Sequence, residues 1–351
     1  MPRVVGIDPG TVSLDLCGLD NGHRFLDASW PTADALADPT GLIDLIAGAG
    51  PIDLVVGPSG YGLPLTRAAD ATDDDLRLAF LSRHGDPGGL RGIGNLARAL
   101  GRSGLPVVFI PGVMLLDTVP RHRKLNRVDM GTADKVSVAA LAIHDHAERW
   151  GRSPGDVSLI LVELGGAFTA GLAVRQGSIV DGIGGTSGPI GWRSSGAWDG
   201  EAAFLAGEVS KGALFQGGVE TVLHRDPGER ALAVEAYVEG AAKMVSQLRV
   251  AAPDADEIVL SGRMATDATI GAHLRELLGS EIPVRALGGF AARARQGAQG
   301  AAILADGLAG GGHRELVERM RLRNAAGTVL DHLYVVPRAQ ARLRLGLAAG
   351  G

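Results

Sequence analysis

The sequence predicts an α/β protein of two related halves, each a mixed β-sheet flanked by helices, with a ligand cleft between them. At 351 residues the chain exceeds the usual size of one hydrophobic core, so two domains are expected. Apolar runs of strand type alternate with stretches of helical spacing, the order typical of α/β folds. Each half also opens on the same pattern, an apolar strand that turns through glycine and reverses into a second apolar strand.

The first copy of this pattern spans residues 4–19 and carries chemistry at its turn. Asp8 ends the first strand, Pro9 and Gly10 form the turn, and Thr11 precedes the second strand. Because glycine has no Cβ, the turn can adopt a positive φ and let an anion approach the backbone amides, while Asp8 can hold a metal ion. A tight hairpin with a capping aspartate is the alternative, and turn statistics alone do not separate the two.

The remainder of the first half predicts further strands and helices of a mixed sheet. In chain order we expect a strand at 23–30, a helix at 39–49, a strand at 52–57, a helical stretch from 73, a helix at about 92–100 and a strand at 105–110. The loop at 58–64 follows a strand end, where ligands collect in α/β sheets, so Ser59 and Tyr61 are candidate substrate contacts. Simple turn chemistry accounts for the glycines and prolines of this loop equally well.

A basic run lies between the two copies of the pattern. Five basic residues occur within residues 121–127, shortly before Asp134. Positive charge beside a carboxylate suits phosphoryl transfer to an acidic acceptor, because the reactants repel each other in water. A solvated basic loop is the alternative, followed by a helix that starts near Thr132 and carries Asp134 in its first turn.

The second copy of the pattern spans residues 157–174. Glu163 ends its first strand, Gly165 and Gly166 form the turn, and Thr169 lies at the start of the return strand. Two copies are a more specific signal than one, because they indicate related halves that face each other across a cleft. We therefore place one domain at residues 1–154 and the other at residues 155–345.

A glycine-rich loop at residues 183–191 follows the third strand of the second half. Gly185, Thr186 and Ser187 of this loop are candidate substrate contacts, because flexible loops at strand ends commonly close over ligands. Arg193, just beyond the loop, offers charge-assisted hydrogen bonds to a carboxylate or phosphate and is a candidate catalytic residue. A plain surface loop is the alternative, although the position after a strand end favours a site.

The rest of the second half predicts a further strand that ends in the Ser261–Gly262–Arg263 turn. A strand ending in glycine lets a nucleoside lie against bare backbone, whereas a turn without a ligand is the simpler explanation of this motif taken alone. The other expected elements are helices at 231–250, 265–278 and 297–308, a strand at 282–287 and a late edge strand at 334–336.

Composition narrows the class of protein. The net charge is −5 and the basic residues are scattered, which argues against a nucleic-acid-binding surface. No run of 18 or more apolar residues occurs, so no membrane-spanning segment is expected. Cys17 is the only cysteine, and its place inside a predicted strand favours a packed thiol. We expect a soluble cytoplasmic protein.

The order of these motifs resembles the acetate and sugar kinase, heat-shock ATPase and actin (ASKHA) superfamily over most of the chain. The resemblance implies two ribonuclease H-like domains with a nucleotide cleft between them, and it implies ATP and Mg²⁺. In that superfamily the first aspartate serves the metal, two glycine turns cradle the phosphates, and a strand ending in glycine receives the adenosine. The matching residues here are Asp8 for the metal, Gly10, Thr11, Gly165 and Gly166 for the phosphates, and Ser261, Gly262 and Arg263 for the nucleoside. Glu163 and Thr169 of the second hairpin are further expected cofactor contacts, and a metal role for Glu163 stays open.

Residues 131–135 are similar to the glycine-alanine-aspartate-arginine motif of type III pantothenate kinases, with Thr132 inserted and Lys135 in place of arginine. The similarity implies that Asp134 helps to activate the acceptor of the phosphoryl group. A carboxylate acceptor needs no base at neutral pH, since its ordinary pKa is about 4. Asp134 would then position metal or water, whereas for an alcohol acceptor it would be a true base.

Residues 57–64, 130–135 and 184–189 resemble a family often labelled predicted butyrate kinase, which implies a short-chain carboxylic acid as acceptor. Our first hypothesis is therefore an ATP-dependent kinase, a phosphotransferase that acts on a small acid as acetate and butyrate kinases do. A regulatory or switch ATPase of the same fold, without a small acceptor, is the alternative. An inactive member is a third reading, because Glu163 stands where aspartate is commoner. The sequence is also compatible with a homodimer.

Overall fold

The computed structural model describes residues 2–83 and 90–348, and within them two mixed β-sheets are each flanked by helices. This confirms the predicted α/β fold class. None of the helices in these ranges is both long enough and apolar enough to cross a bilayer. Cys17 is buried as a free thiol, as its strand position predicted.

The first sheet has six strands in the spatial order β3-β2-β1-β4-β6-β5. In chain order they are β1 (Arg3–Pro9), β2 (Ser13–Asp20), β3 (His23–Pro31), β4 (Leu54–Gly57), β5 (Gly62–Arg67) and β6 (Val107–Pro111). The first three form an antiparallel meander, and β4 and β6 extend the sheet from β1 in parallel. β5 begins within the segment that was expected to be a loop at 58–64. The sequence did not indicate this strand, because its first residues are typical of turns and its pairing with β6 is interrupted between Gly62 and Thr66.

The second sheet repeats this arrangement. Its strands are β7 (Leu159–Leu164), β8 (Thr169–Arg175), β9 (Ser178–Ile183), β10 (Glu257–Ser261) and β11 (Val284–Ala286), in the spatial order β11-β10-β7-β8-β9. Here too the first three strands are antiparallel neighbours, while β10 and β11 extend the sheet in parallel from β7. With the edge strand β5 set aside, the two sheets have the same strand order and directions. The repeated hairpin in the sequence therefore marks a repeated half.

The helices cover the two sheets. In the first half they are α1 (Thr32–Ala37), α2 (Pro39–Gly48), α3 (Asp73–Phe80), α4 (Leu90–Arg102), α5 (Arg121–Lys124) and α6 (Ala133–Trp150). In the second half they are α7 (Gly200–Ala206), α8 (Val219–Arg225), α9 (Arg230–Arg249), α10 (Ala268–Leu278), α11 (Gln296–Leu308), α12 (Arg314–Met320) and α13 (Arg338–Arg344). Thr132 is the N-cap of α6 and Asp134 lies in its first turn, as the sequence predicted.

The edge strand predicted at residues 334–336 is wrong. The backbone N–H groups of Tyr334 and Val335 donate to the Asn126 side-chain oxygen, at 2.8 and 3.0 Å, instead of to a neighbouring strand. Tyr334 and Val335 are also largely exposed. The aromatic and β-branched residues have strand propensity, but that propensity is realised only where a sheet edge is present to pair with.

Helix α11 follows the second sheet in the chain but packs on the first. Gly6 of β1 permits this approach, because a Cβ at residue 6 would lie 2.3 Å from the Ala302 backbone nitrogen. On another face of the helix, a Cβ at residue 300 would lie 1.8 Å from the Ser137 carbonyl oxygen of α6. The proposed boundary between residues 154 and 155 therefore has contacts across it through α11, and it stays a prediction.

Replacing Gly300 by alanine should destabilise the protein, since the added methyl group meets backbone that cannot rotate away. We expect the free energy of unfolding to fall by at least ~2 kcal/mol, the scale of core overpacking. Gly48→Ala is the matched control: a Cβ there meets nothing within 4 Å, so its stability should be unchanged or slightly higher. Urea denaturation of the two variants measures both values, and equal values would contradict the packing of α11 against α6.

Candidate functional site

A cavity of about 830 Å³ opens at the carboxyl ends of β1, β4, β7 and β10. Its walls come from both halves of the chain, as predicted for a cleft between them. The lining includes the following residues expected from the sequence: Asp8, Gly10, Thr11, Ser59, Tyr61, Asp134, Glu163, Gly165, Gly166, Gly185, Thr186, Gly262 and Arg263.

The two glycine turns have the same internal geometry. Gly10 donates its backbone N–H to the Ser13 carbonyl oxygen at 2.8 Å, and Gly165 donates to the Phe168 carbonyl oxygen at 3.0 Å. Neither glycine has a positive φ, contrary to the expectation for Gly10. Glycine is required for a different reason, because a Cβ would lie 2.9 Å from the Ser13 oxygen in the first turn and 2.8 Å from the Phe168 oxygen in the second.

The two turns face each other across the cavity. A Cβ at Gly166 would lie 3.8 Å from Thr11 Oγ1 and 3.8 Å from Cδ of Arg263, which are ordinary contact distances. Arg263 follows Gly262, whose φ of +88° lies in the region that favours glycine. A ligand between the turns would thus be within reach of backbone amides from both halves.

Lys135 joins the acidic residues of the two halves. Its ammonium nitrogen lies 2.6 Å from Asp134 Oδ2 and 2.5 Å from Glu163 Oε1. All three side chains are largely buried, so each ion pair lies in a medium of low polarity. In the sequence, Lys135 stands out only as the replacement for arginine in the motif at 131–135. Its contact with Glu163 could not be predicted, because Glu163 is distant in the chain.

Burial and crowding change the pKa values in this cluster. Burial, together with the neighbouring carboxylates of Asp134 and Glu163, raises the pKa of Asp8 to about 8 against the opposing effect of Lys135. Burial and Asp134 also raise the pKa of Glu163. Burial opposes ionisation of Asp134 as well, but the charge and hydrogen bonds of Lys135 outweigh it and lower the pKa of Asp134.

The first turn of α11 connects Asp8 with the turn at Gly262. The Gln296 side-chain oxygen accepts a hydrogen bond from the Gly262 backbone N–H at 3.2 Å, and its amide nitrogen donates to the Leu287 carbonyl oxygen at 3.0 Å. The next residue, Gly297, lies against Asp8, since a Cβ there would be 2.1 Å from Asp8 Oδ2. No sequence pattern indicated Gln296, because both of its contacts depend on how α11 packs.

Several hydroxyl groups expected to contact substrate are bonded within the protein. Ser59 donates to the Ile110 carbonyl oxygen at 2.8 Å. Thr186 donates its side-chain hydroxyl to Asp129 Oδ2 at 2.9 Å, and Ser187 donates to the Asp129 backbone oxygen at 2.6 Å. Asp129 therefore holds the glycine-rich loop in place, a role that the sequence did not indicate. Ser187 itself does not line the cavity.

Three further predicted residues do not line the cavity. Arg193 lies 3.5 Å from Glu220 and approaches the cavity only through its position over the Phe215 ring, 5.8 Å from the ring centroid. Thr169 is buried and donates to the Ile190 carbonyl oxygen. Ser261 is buried beside Gly262. Thr169 and Ser261 thus lie behind the cavity wall, whereas Arg193 lies outside it with an exposed side chain.

The basic run at 121–127 does not supply charge to the cavity, and that interpretation is wrong. Arg123 donates to the Val180 carbonyl oxygen of β9 at 2.7 Å, and the buried Lys124 donates to the Leu116 carbonyl oxygen at 2.7 Å. These two side chains therefore bond to backbone carbonyl groups outside the cavity. The basic side chains in the cavity wall are Lys135, Lys211, Arg263 and Arg295.

Solved structures with a similar fold agree with this architecture. A propionate kinase from Francisella tularensis subsp. tularensis SCHU S4 has a TM-score of 0.59 at 12% identity, covering 86% of this chain and 99% of that chain. An acetate kinase from Porphyromonas gingivalis has a TM-score of 0.56 at 14% sequence identity, covering 86% of this chain and 98% of that chain. An acetate kinase from Entamoeba histolytica has a TM-score of 0.55 at 11% identity, covering 78% of this chain and 85% of that chain. These likenesses confirm the ASKHA-type fold that the motifs implied.

The family comparison assigns the chain more closely. The model described as "Protein of unknown function (DUF1464)" matches residues 6–335, and the chain belongs to that family. A search among curated proteins gave no match.

Replacing Asp8 by asparagine should stabilise the ligand-free protein at alkaline pH. Because the pKa of Asp8 is raised to about 8 on folding, stability falls as pH rises from about 4, where the unfolded carboxyl ionises, to about 8. Asparagine cannot ionise and so escapes this loss, which is of the order of a few kcal/mol at about 1.4 kcal/mol per pKa unit. Thermal unfolding between pH 5 and 9 with a chelator present measures the difference, which should grow with pH.

Asp27→Asn is the control of opposite sign. Burial opposes ionisation of Asp27, but the backbone N–H groups of Ala292, Arg293 and Ala294 donate to its carboxylate and lower its pKa. This variant should be less stable than the wild type by an amount that is constant from pH 5 to 9, since Asp27 stays ionised throughout. A pH-independent effect at Asp8 would contradict the crowding of carboxylates described above.

Proposed function

We propose that this protein transfers the γ-phosphoryl group of ATP to a small carboxylic acid. The observation that carries the proposal is the pair of glycine turns, one from each half, that face each other beside a buried acidic cluster. Backbone amides in such turns suit the oxygens of a polyphosphate, and the two turns can hold it from both sides. The acetate and propionate kinases of the same fold are named for acids of this class.

In this proposal the phosphates lie between the two halves, and the nucleoside lies on the second half. Gly10, Thr11, Gly165 and Gly166 hold the phosphates, with Arg263 beside the second turn as a charged partner. Gly262 leaves bare backbone for the nucleoside, since a Cβ there would collide with the Leu164 carbonyl oxygen at 2.6 Å and no larger residue is tolerated. Thr169, Ser261 and Ser187 support these surfaces from behind the wall.

Asp8 is suited to hold Mg²⁺. Its carboxylate has no hydrogen-bond or ion-pair partner within residues 2–83 and 90–348. Burial and the neighbouring carboxylates of Asp134 and Glu163 raise its pKa, and a bound cation would oppose both effects. No group of three or more acidic, histidine or cysteine side chains in those ranges is placed to hold a metal, which fits an ion bound by one carboxylate and by substrate phosphates. When bound, the ion would neutralise charge on the phosphate oxygens.

Asp134 favours an acid over an alcohol as acceptor. An alcohol gives up a proton during the transfer, and the Asp134 carboxylate that would accept it is already paired with the Lys135 ammonium at 2.6 Å. A carboxylic acid is already ionised at neutral pH. One of its oxygens forms a bond to the γ-phosphorus, the bond from that phosphorus to the bridging oxygen breaks, and ADP leaves with the electron pair. Asp134 and Lys135 position the reactants.

The direct test supplies ATP, Mg²⁺ and acetate, propionate or butyrate, and traps acyl phosphate with hydroxylamine. We expect trapped product with at least one acid, and Asp8→Asn should lower turnover by about 100-fold or more, the scale of losing a metal contact. Asp44→Asn, on the exposed side of α2, should leave turnover unchanged. Slow ATP hydrolysis that no acid stimulates would indicate the switch ATPase instead, and calorimetry without ATP binding would indicate an inactive member.

Gln296→Leu should weaken binding of ATP, because the Gly262 N–H then loses its acceptor and the nucleoside turn loses its tie to α11. We expect the dissociation constant for ATP to rise by about tenfold, the effect of roughly 1.4 kcal/mol. Binding of inorganic tripolyphosphate, which has no nucleoside, should change little. Gln247→Leu, at an exposed position of α9, is the control, and calorimetry measures binding by the wild type and both variants. Equal losses for ATP and tripolyphosphate would place Gln296 elsewhere in the mechanism.

A further inference from the structure

We propose that the acceptor is a carboxylic acid with a bulky apolar group, of aromatic or branched-chain size, rather than acetate. The proposal rests on the phosphotransferase function above and names the acceptor class. It concerns the part of the cavity wall formed by Tyr61, Phe80, Phe168, Leu214 and Phe215, which we call the aromatic arm.

The aromatic arm begins at the second glycine turn. Phe168 accepts the hydrogen bond from Gly165 that closes this turn, and its ring packs edge-to-face on Phe215 with centroids 4.9 Å apart. Phe215 lies between α7 and α8, on a segment of the second half that reaches the first. On that segment the Lys211 ammonium lies 5.7 Å from the centroid of the Tyr61 ring. The arm is therefore enclosed by both halves.

The arm also adjoins Asp134. Gly60 accepts a hydrogen bond from the backbone N–H of Ala133 at 2.8 Å, which attaches the loop that carries Tyr61 to the first turn of α6. Gly60 lies directly on Phe80, since a Cβ at residue 60 would be 2.7 Å from Cδ1 of that ring. An acid whose carboxylate lies near Asp134 and the phosphates would thus direct its other end into the arm.

The polar groups beside the aromatic arm do not suit a polyhydroxy acceptor. Ser59 and Thr186 donate their hydroxyl protons to Ile110 and Asp129, and the Tyr61 hydroxyl interacts with Thr186. A sugar needs several donors and acceptors directed at its hydroxyl groups, whereas these groups bond to the protein. Tyr61, Phe168 and Phe215 are each partly exposed, so their rings offer apolar surface to a ligand.

Covering that surface should select for acceptor size. Each methylene that leaves water for an apolar site improves binding about fourfold, so an acid with several apolar carbons gains over acetate, which has only a methyl group. The preference for large acids arises from the aromatic arm and is independent of the contacts to the nucleotide. It therefore appears in the comparison of acids at one ATP concentration.

The test measures kcat/KM by hydroxylamine trapping for acetate, butyrate, isovalerate, benzoate and phenylacetate. We expect the value for isovalerate or for an aromatic acid to exceed that for acetate by at least about 50-fold, or three methylene equivalents. Equal values, or a preference for acetate, would overturn the acceptor class and leave the phosphotransferase function intact. Absence of acyl phosphate with every acid would overturn the function itself.

Variants locate the preference. Phe215→Ala should reduce the ratio of kcat/KM for the best bulky acid to that for acetate by about tenfold, with KM for ATP unchanged. Tyr61→Phe keeps the ring and should keep the ratio. Phe204→Ala, a highly exposed phenylalanine on α7, is the control and should match the wild type. An undiminished ratio in Phe215→Ala, with ATP binding retained as evidence of folding, would overturn the role of the aromatic arm.

Discussion

The arrangement of the site depends on one buried ammonium group. Lys135 pairs with Asp134 from its own helix and with Glu163 from the other sheet, so the two halves meet at a charge contact. The cluster is nevertheless under-neutralised, because Asp8 adds a third carboxylate to a single cation. Removing either partner of such a contact leaves a buried charge without compensation, which is more costly than the pair is stabilising. The ligand-free site therefore carries an electrostatic cost that a cation would relieve.

A second constraint is the close packing of α11. The helix contacts β1 and α6 through backbone, which only glycine and other small residues allow. Its first turn meets Asp8 at one residue and the turn at Gly262 through the preceding one. Helix α11 thus connects the carboxylate of Asp8 in the first half with the turn at Gly262 in the second half.

Polar residues in the cavity wall divide into two groups. One group bonds only to the protein: Asp129 holds the glycine-rich loop, and the hydroxyls of Ser59 and Thr186 hold wall segments together. The other group, the glycine turns with Arg263 and Arg295, faces the cavity. The hydroxyl groups of these loops were predicted to contact substrate, but they donate hydrogen bonds to other residues of the protein. Apolar rings then form the surface on which an acceptor can lie.

Sequence patterns predict the repeated hairpins, the three acidic positions at residues 8, 134 and 163, and most strands and helices. These are local features, because hydrophobic periodicity, helix caps and glycine turns act over a few residues. Tertiary structure alone decided which side chains meet. The Lys135–Glu163 and Gln296–Gly262 contacts join residues 28 and 34 positions apart. Arg193 and the basic run at 121–127 do not line the cavity, because charge in the sequence does not specify direction. Arg193, Arg123 and Lys124 contact Glu220, Val180 and Leu116 instead.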